Sequence, residues 1–384
     1  MTSNAKKIIA SAAAILLSAV SFAGRTRFSG LPESVFIDLP EGFRLENHIG
    51  DTSFLLQSTV LPVKLAVRIY ETQAFPSAHD ALSASLEKLG LKHEAGTVSW
   101  QGGTAALAIH SGTVAGEESF GYSAAAAVPE TGRTVTLISW CPEKLKESCS
   151  IFMGSIIDGL CIGSESCFSP GLFTSSLFPE SDETEKITLS IGGKTISTQL
   201  RSGAGEAAQD LISREYVVLG LYLTSPLWKE ALTRYYRMIF KDSCGRLKEV
   251  SFDIYRTLAP HCADETDFAQ KLLSWTQGFA YERNQTESDF TALPLILAGA
   301  GSDCDSRSML IAVILQSVHI DSILFVSREY SHAIAGLVSD HPGFGFKAAG
   351  KLYLTGDTTV TGATWGTIAA DLGDSRKWIP VELP

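Results

Sequence analysis

The amino-acid sequence predicts an α+β protein with two domains. At 384 residues, the chain is longer than one ordinary domain of roughly 100 to 200 residues. Short runs rich in β-branched and aromatic residues fill the first half, whereas apolar residues at three- and four-residue spacing fill much of the second. We therefore expect an N-terminal domain, 24–160, a linker, 161–186, and a C-terminal domain, 187–384.

Residues 1–23 have the pattern of a signal peptide. Two lysines precede an apolar stretch, 8–20, which is shorter than the ~20 residues of a membrane span. The small residues Ser21 and Ala23 suit a cleavage site before Gly24. We expect a periplasmic or secreted protein with no stable membrane span after cleavage, and an uncleaved anchor is the alternative.

The composition is that of a globular protein. Hydrophobic residues make up 45% and charged residues 19% of the chain, which argues against a disordered or a polytopic membrane protein. The 31 basic and 42 acidic residues give a net charge of −11, and no basic run interrupts the acidic balance. Phosphate binding needs a clustered basic surface, so we expect no nucleic-acid partner.

The N-terminal domain is expected to carry an antiparallel sheet. Its β-like runs are broken by glycine, proline or charge, and two segments, 78–90 and 145–160, have the pattern of helices. The opening FIDLPEGFRL, the first of these helices and the closing MGSIIDGL resemble the small exported domains of the PsbP and Mog1 type. That resemblance implies packing patterns without catalytic residues, so we expect binding or positioning from this domain.

The C-terminal domain begins with a hairpin and continues with helices. A pair of glycines, 192–193, interrupts an alternating run and predicts a hairpin turn. Three segments then show apolar residues at helical spacing: 206–223, 226–243 and 266–283. Their aromatic residues are expected in the core.

Cys304 is the candidate nucleophile. A turn containing glycine and serine, 299–302, precedes it and an apolar helix face follows it, so the sequence predicts that Cys304 lies at a helix N-terminus. Unpaired backbone N–H groups and the helix dipole stabilise a thiolate there. Asp303 and Asp305 act in the opposite direction and raise the pKa of the thiol, so Cys304 needs a cationic partner such as an imidazolium.

His332 and Asp357 are the expected partners of Cys304. His332 lies in a β-like segment 28 residues after the cysteine, and Asp357 ends a second such segment 25 residues later. Adjacent antiparallel strands present side chains on one face, so the carboxylate can orient the imidazole while the other ring nitrogen faces the thiol. Each residue alone also has a structural interpretation, because buried thiols and aspartates in turns are common.

Three sequence blocks together resemble the transglutaminase-like superfamily of papain-related cysteine peptidases. The blocks are GSDCDSRSMLIAVIL, SHAIAGL and YLTGDTT, and they occur in the order of that family. The resemblance covers about residues 265–370. It implies a transglutaminase-like α+β domain with a triad of Cys304, His332 and Asp357.

The resemblance also implies an oxyanion group on the upstream segment WTQGFAYE. Gln277 is the candidate, with Trp275 beside it. Ala333 and Ser302 depart from the family pattern, which leaves the substrate-side contacts open. On this resemblance we expect an exported cysteine-dependent peptidase or amidase acting on protein or peptide substrates, and a crosslinking transglutaminase is the less favoured form of the same chemistry.

Other interpretations remain open. A non-catalytic envelope-binding or scaffold protein with the same fold, or a purely structural exported protein, would leave the thiol unreactive. We expect no cofactor, because the glycines of GFGFKAAGK lack the strand-to-helix setting of a phosphate loop. We expect no metal, because the side chains that could bind one lack the close ligand pairs of zinc sites: Cys304, His332, His341 and Asp357.

Seven cysteines in an exported chain leave one unpaired. Pairing of near neighbours would close three short loops: Cys141–Cys149, Cys161–Cys167 and Cys244–Cys262. Cys304 would then be the free thiol. The alternative is that several cysteines are small buried hydrophobic residues.

Overall fold

A computed structural model describes residues 25–71, 73–283 and 288–383. The predicted signal peptide, 1–23, lies outside the described residues. Over the described residues the protein is α+β with antiparallel sheets, as the sequence predicts. None of the described helices is both long enough and apolar enough to cross a membrane.

Two sheets and two helices make up the N-terminal part. In chain order the elements are β1 (Arg25–Arg27), β2 (Val35–Asp38), β3 (Phe43–Ile49), β4 (Ser53–Ser58), β5 (Lys64–Tyr70), α1 (Ala78–Lys88), β6 (Lys92–Trp100), β7 (Gly103–Val114), β8 (Glu117–Ala127), β9 (Thr134–Pro142), α2 (Lys146–Asp158) and β10 (Leu160–Ile162). A small sheet has the order β1-β2-β10, and a large sheet has the order β3-β4-β5-β9-β8-β7-β6.

Helices cover both faces of the large sheet. Ala124 and Ala125 are neighbours in β8, so their side chains point to opposite faces. Ala125 packs in one cluster with Leu82 and Leu86 of α1, whereas Ala124 belongs to the main core together with Phe152 of α2. Both helices lie inside the segments predicted from the sequence.

The segment predicted as a linker, 161–186, contains regular structure. Its first residues complete β10, and a short 3-10 helix, Ser164–Phe168, and helix α3 (Leu172–Leu177) follow. Hydrogen bonds hold this polar segment in place: the carboxylate of Asp158 accepts one from the backbone N–H of Thr174 at 3.0 Å. A segment of polar composition can therefore be ordered, because hydrogen bonds to the rest of the protein stabilise it where few apolar side chains are available for burial.

The C-terminal part joins a hairpin, six helices and a five-stranded antiparallel sheet. In chain order the elements are β11 (Thr184–Ile191), β12 (Lys194–Arg201), α4 (Ala204–Gly220), α5 (Trp228–Arg246), α6 (Lys248–Leu258), α7 (Glu265–Thr276), α8 (Leu293–Leu297), α9 (Cys304–Ser317), β13 (Ser322–Ser327), β14 (His332–Leu337), β15 (Gly345–Ala348), β16 (Lys351–Gly356) and β17 (Ile379–Val381). The sheet has the order β15-β16-β14-β13-β17. Gly192 and Gly193 form the predicted hairpin turn, with φ of 56° and 74°.

Helix α9 is enclosed on all sides. Residues 309–315 are fully buried, and the helix packs against β13 and β14 as well as α5, α6 and α7. A helix that is apolar all round belongs in a core. This packing fixes the position of its first residue, Cys304, relative to the strands.

Buried charged groups join the two parts of the chain. Arg237 of α5 donates two hydrogen bonds to the carboxylate of Asp38, both at 2.9 Å. Lys241 donates to the backbone carbonyls of Asp158 at 2.7 Å and Leu160 at 2.9 Å. Burial alone would raise the pKa of Asp38, but the Arg237 guanidinium holds that pKa below its usual value. The carboxylate therefore stays charged in the interface.

All seven cysteines are free thiols in the structure, so none of the predicted disulfides is formed. Two of the predicted pairs lie side by side, and in each the two thiols shift each other's pKa: Cys141 with Cys149, and Cys161 with Cys167. The third predicted pair is not brought together. Cys244 is buried beside Ser317, whereas Cys262 lies 3.2 Å from the ammonium group of Lys271.

Candidate active site

Cys304 is the first residue of helix α9, where the sequence predicts a helix N-terminus. Asp303 caps this helix through Oδ1, which accepts hydrogen bonds from the backbone N–H of Ser306 at 2.9 Å and from its hydroxyl at 2.5 Å. The other oxygen, Oδ2, is buried and has no hydrogen-bond partner among the described residues. Cys304 itself is 2% exposed, so the thiol lies beneath the surface.

Asp357 orients the imidazole of His332. His332 begins β14, Asp357 directly follows β16, and these two strands pair antiparallel. Nε2 of His332 lies 3.1 Å from Oδ2 of Asp357, while Oδ1 accepts hydrogen bonds from the backbone and hydroxyl of Thr359 at 2.8 and 2.7 Å. Burial alone would raise the pKa of Asp357, but the hydrogen bond and charge of His332 lower it. The carboxylate is therefore ionised at neutral pH.

The thiol of Cys304 lies at the start of β14. Its sulfur lies close to the backbone N–H of Ala333, the residue that follows His332, and this N–H acts to lower the pKa of the thiol. The thiol donates its own proton to Oδ1 of Asp305, with Sγ and Oδ1 3.2 Å apart. Because Nε2 of His332 is engaged by Asp357, Nδ1 is the ring nitrogen left for the thiol. No hydrogen bond between Cys304 and His332 is formed within the described residues, so this is a resting arrangement.

Negative charge surrounds the thiol. Burial, followed by the carboxyl groups of Asp305 and Asp303, raises the pKa of Cys304 well above that of a free cysteine. Burial and the neighbouring Asp305 also raise the pKa of Asp303 to about 7, and burial raises the pKa of Asp305. The two flanking aspartates act on the thiol in the direction that the sequence predicts. At neutral pH the resting thiol is protonated.

Helix α5 reaches this centre through Tyr236. The hydroxyl of Tyr236 donates a hydrogen bond to Oδ2 of Asp305, the acid that also holds the thiol of Cys304. The next residue of α5, Arg237, pairs with Asp38 in the interface with the N-terminal part. One helix thus connects that interface to the immediate neighbour of the thiol.

Gln277 lies near the site, but its amide is fully engaged. The side-chain nitrogen donates to the backbone carbonyls of Asp357 at 3.0 Å and Ala363 at 3.1 Å, and the side-chain oxygen accepts from the N–H of Gly362 at 3.0 Å. Both amide hydrogens are used, which disagrees with the oxyanion role expected for Gln277. This residue instead positions the loop that carries Asp357. Trp275 lines a shallow groove near the β11–β12 turn.

Tyr281 is a site residue that the sequence does not single out. A backbone bridge joins it to Ser302, and its ring lies over Arg307, whose guanidinium carbon is 5.2 Å from the ring centroid. Burial and the nearby Cys304 raise the pKa of Tyr281, so its hydroxyl keeps its proton at neutral pH. The side chain is 50% exposed and forms an accessible wall next to the buried thiol. Only the pairing of two distant segments brings it there.

Asp303, Cys304 and Asp305 are the described residues that could share a metal ion. One ligand atom of each lies within 4.8 Å of the others. His341, a potential ligand in the sequence, instead bonds Asp264 at 3.0 Å on the surface. Three consecutive residues without a histidine differ from the spaced ligand pairs of zinc sites. The arrangement therefore suits thiol chemistry better than metal binding.

Comparisons with solved structures return the PsbP and Mog1 folds that the N-terminal part resembles in sequence. Cyanobacterial PsbP (CyanoP) from Synechocystis sp. PCC 6803 is 12% identical, with a TM-score of 0.29, over 37% of this chain and 94% of that chain. The Ran-binding protein Mog1p of Saccharomyces cerevisiae is 15% identical, with a TM-score of 0.25, over 33% and 80%. A protein of Bacteroides thetaiotaomicron VPI-5482 is 12% identical, with a TM-score of 0.22, over 56% and 74%. No family model and no curated protein sequence matches the chain.

Proposed function

We propose that this protein is a cysteine-dependent amide hydrolase or acyltransferase with a transglutaminase-like C-terminal domain. The observation that carries the proposal is the position of Cys304 at the start of helix α9, which packs on the strand that His332 begins, while Nε2 of His332 lies 3.1 Å from Oδ2 of Asp357. Amide cleavage through a thiolate requires a nucleophile, a base and a group that orients the base. A protein or peptide, which includes an envelope peptide, is the substrate that we favour for this exported protein.

The proposed reaction begins when the Cys304 thiol transfers its proton to Nδ1 of His332. The thiolate attacks the amide carbonyl carbon, and the resulting oxyanion accepts hydrogen bonds from the backbone N–H of Cys304 and the hydroxyl of Tyr281. His332 then gives its proton to the leaving nitrogen, the C–N bond breaks and a thioester remains. Water, deprotonated by His332, releases the acid; an amine in its place would give a transamidated product. Asp357 stays ionised throughout.

Activation must first release the thiol from Asp305. The Sγ atom has to turn from Oδ1 of Asp305 toward His332, a rotation about χ1 between staggered positions. The 2% exposure of Cys304 also requires the wall that includes Tyr281 to give way to substrate. We therefore expect slow turnover by the resting form and faster chemistry when a substrate displaces Asp305.

The rate of Cys304 alkylation by iodoacetamide, measured against pH and mapped by mass spectrometry, tests the proposal. We expect His332→Ala to slow labelling of Cys304 at neutral pH about tenfold, because the protonated thiol loses the imidazole that accepts its proton when it reacts. His341→Ala serves as the matched control, because that imidazole bonds Asp264 and should leave the rate unchanged. Equal labelling of wild type and His332→Ala would rule out the thiolate–imidazolium pair.

A substrate assay then separates hydrolysis from transfer. Unfolded casein is incubated with the mature chain and a fluorescent primary amine, and the products are identified by mass spectrometry. New peptide termini indicate hydrolysis, whereas amine adducts on glutamine indicate transamidation. Either product should disappear in Cys304→Ala.

A non-catalytic binding protein is the second candidate, and one observation favours it. Burial and the flanking acids raise the pKa of Cys304, which disfavours the thiolate that catalysis needs. On this alternative the His332–Asp357 pair is structural, so its removal should lower the free energy of unfolding and leave the alkylation rate of Cys304 unchanged.

A further inference from the structure

A cleft of about 900 Å³ lies between the two parts of the chain, away from Cys304. One wall is the second half of β6 and the turn after it, and the opposite wall includes Lys248 and His319. The floor is the polar segment that contains Phe168 and Pro170. His319 follows the C-terminal end of α9, and Cys304 begins that helix, which places the cleft roughly 20 Å from the thiol at 1.5 Å per residue.

Strand β6 is an edge strand of the large sheet. Gln101 and Gly102, with φ of 52° and 71°, form a two-residue turn closed by the pair Trp100 and Gly103. The N–H and C=O groups of the closing pair hydrogen-bond each other across the hairpin. Along an antiparallel strand, residues whose N–H and C=O groups face the partner strand alternate with residues whose groups face away from it. The N–H and C=O groups of Thr97 and Ser99 therefore point away from β7, toward the free edge.

These edge groups are accessible and unpaired in the described part of the chain. Thr97 and Ser99 are both exposed, and both line the cleft. No hydrogen bond from the rest of the described protein reaches their backbone atoms. A row of free N–H and C=O groups is a template for another extended strand.

The opposite edge of the same sheet is built differently. Strand β3 has a bulge between Leu45 and Asn47, which interrupts its pairing with β4. Bulges at edges prevent a further strand from pairing. Strand β6 pairs with β7 over its whole length without such an interruption, from Lys92 to Trp100.

The surroundings of β6 suit a polypeptide. Phe168 offers a partly exposed ring in the cleft, whereas the indole of Trp100 is buried and is held by a 2.9 Å hydrogen bond from Nε1 to the carbonyl of Pro170. The charged side chains of the lining are of both signs: Glu165, Glu180, Asp182, Arg201 and Lys248. A mixed lining does not favour a polyanion, whereas main-chain bonds with flanking side-chain pockets are how sheet edges bind extended peptides.

We propose that an extended polypeptide segment binds in this cleft as an additional strand on β6. Its backbone hydrogen-bonds the free N–H and C=O groups of Thr97 and Ser99, and one apolar side chain packs against the partly exposed ring of Phe168. The site goes beyond the proposed thiol chemistry and does not depend on it, because no residue of the cleft belongs to the Cys304 centre.

The test uses the mature chain with Cys304→Ala, so that no bound peptide is cleaved. Random peptides of about ten residues, roughly the length of β6, are selected by phage display, and the best binder is synthesised with a fluorescent label. Thr97→Pro removes the outward N–H without breaking the β6–β7 ladder, because that N–H does not pair with β7. Thr97→Ala is the matched control, since it removes the side chain and keeps the N–H.

We expect the dissociation constant to rise about tenfold in Thr97→Pro and to change less than about twofold in Thr97→Ala. Bound peptide should also slow hydrogen exchange in the segment 92–100. Two versions of the peptide are also compared, one methylated on the odd and one on the even backbone nitrogens. Only the version whose methyl groups replace the N–H groups that face β6 should lose binding. This result does not depend on whether Thr97→Pro folds.

Three outcomes would overturn the proposal. The first is that no peptide is enriched. The second is that Thr97→Pro binds the peptide as tightly as the unsubstituted chain does and that both methylated peptides bind as tightly as the unmethylated one. Hydrogen exchange that slows only outside β6 when the peptide binds has the same meaning. The third is a dimer of the mature chain that Thr97→Pro dissociates, which would make a second copy, and not a peptide, the occupant of the edge.

Discussion

Two buried clusters of charge in this protein are built in opposite ways. In the interface between the two parts, Asp38 receives two hydrogen bonds from Arg237, and the pKa of Asp38 falls although burial acts to raise it. Around Cys304, Asp303 and Asp305 have no guanidinium or ammonium partner among the described residues, and burial raises the pKa of both.

The partner of each buried carboxylate determines the role of its cluster. A buried carboxylate that faces a guanidinium keeps its charge and ties two surfaces together. A buried carboxyl group without a cation has a raised pKa, and in its charged form it raises the pKa of a neighbouring thiol. Glu41 is the exception in the interface: burial raises its pKa to about 7 although two arginines are nearby, and Oε1 of Glu41 has no hydrogen-bond partner among the described residues.

The largest expected effect is on stability. Arg237→Ala leaves the charge of Asp38 buried and uncompensated, so we expect the free energy of unfolding in urea to fall by ~3 to 5 kcal/mol. Arg256→Ala is the control, because its pair with Asp253 is at the surface with the arginine side chain 67% exposed; we expect a loss within about 1 kcal/mol. Similar losses in the two variants would break the comparison.

The next effect is on the pH dependence of stability. The pKa of Asp303 is about 7 in the folded chain, against about 3.9 for a free aspartate, so the folded state binds more protons between these values. Its contribution to the free energy of unfolding therefore falls as pH rises from about 4 to about 7. Asp303→Asn keeps a capping side chain and removes this fall, which amounts to roughly 4 kcal/mol at neutral pH.

Glu41→Gln is measured in the same way. The pKa of Glu41 is also raised, so its contribution to the free energy of unfolding also falls as pH rises, and the substitution should remove that fall. Asp38 has the opposite sign: its pKa is lowered, so its contribution is present above the unfolded pKa and is lost as pH falls through the folded one. A stability profile of Asp303→Asn parallel to that of wild type between about pH 4 and 7 would contradict the assignment.

The smallest effect is on reactivity. Asp305→Asn removes an acid that raises the pKa of the Cys304 thiol, and we expect alkylation at neutral pH to become about tenfold faster. Tyr236→Phe, which removes the hydrogen bond that stabilises the charged form of Asp305, should give a smaller increase of about twofold. Asp321→Asn, at a surface pair with Lys351, is the control. An unchanged rate in Asp305→Asn would show that burial alone protects the thiol.

The parts of the site that depend on local sequence could be predicted. The start of α9 at Cys304 follows from a capping aspartate and an apolar face, and His332 lies in the predicted strand. The engagement of Gln277 could not be predicted, since it depends on a loop 80 and more residues away along the chain. The approach of Tyr281 to Ser302 is likewise set by the pairing of two irregular segments.

The prediction of short-range cysteine pairs shows the same limit. Cys141 and Cys149 meet because the end of β9 leads directly into α2. Cys244 and Cys262 are 18 residues apart, against 8 for the first pair; helix α6 lies between them, and each thiol contacts other groups. Sequence separation is a guide to contact only where no rigid element intervenes.

By itself, the sequence determined the α+β class, the antiparallel strands, the helix that begins at Cys304 and the acidic neighbours of its thiol. These features follow from periodicity and from residues adjacent in the chain, whose geometry is set by the backbone. Only the tertiary structure decided that Asp357 reaches His332, that Arg237 meets Asp38 and that β6 borders an open cleft. Contacts between distant segments depend on how whole faces pack, and a hydrogen bond or a pKa depends on angstrom distances that no local pattern contains.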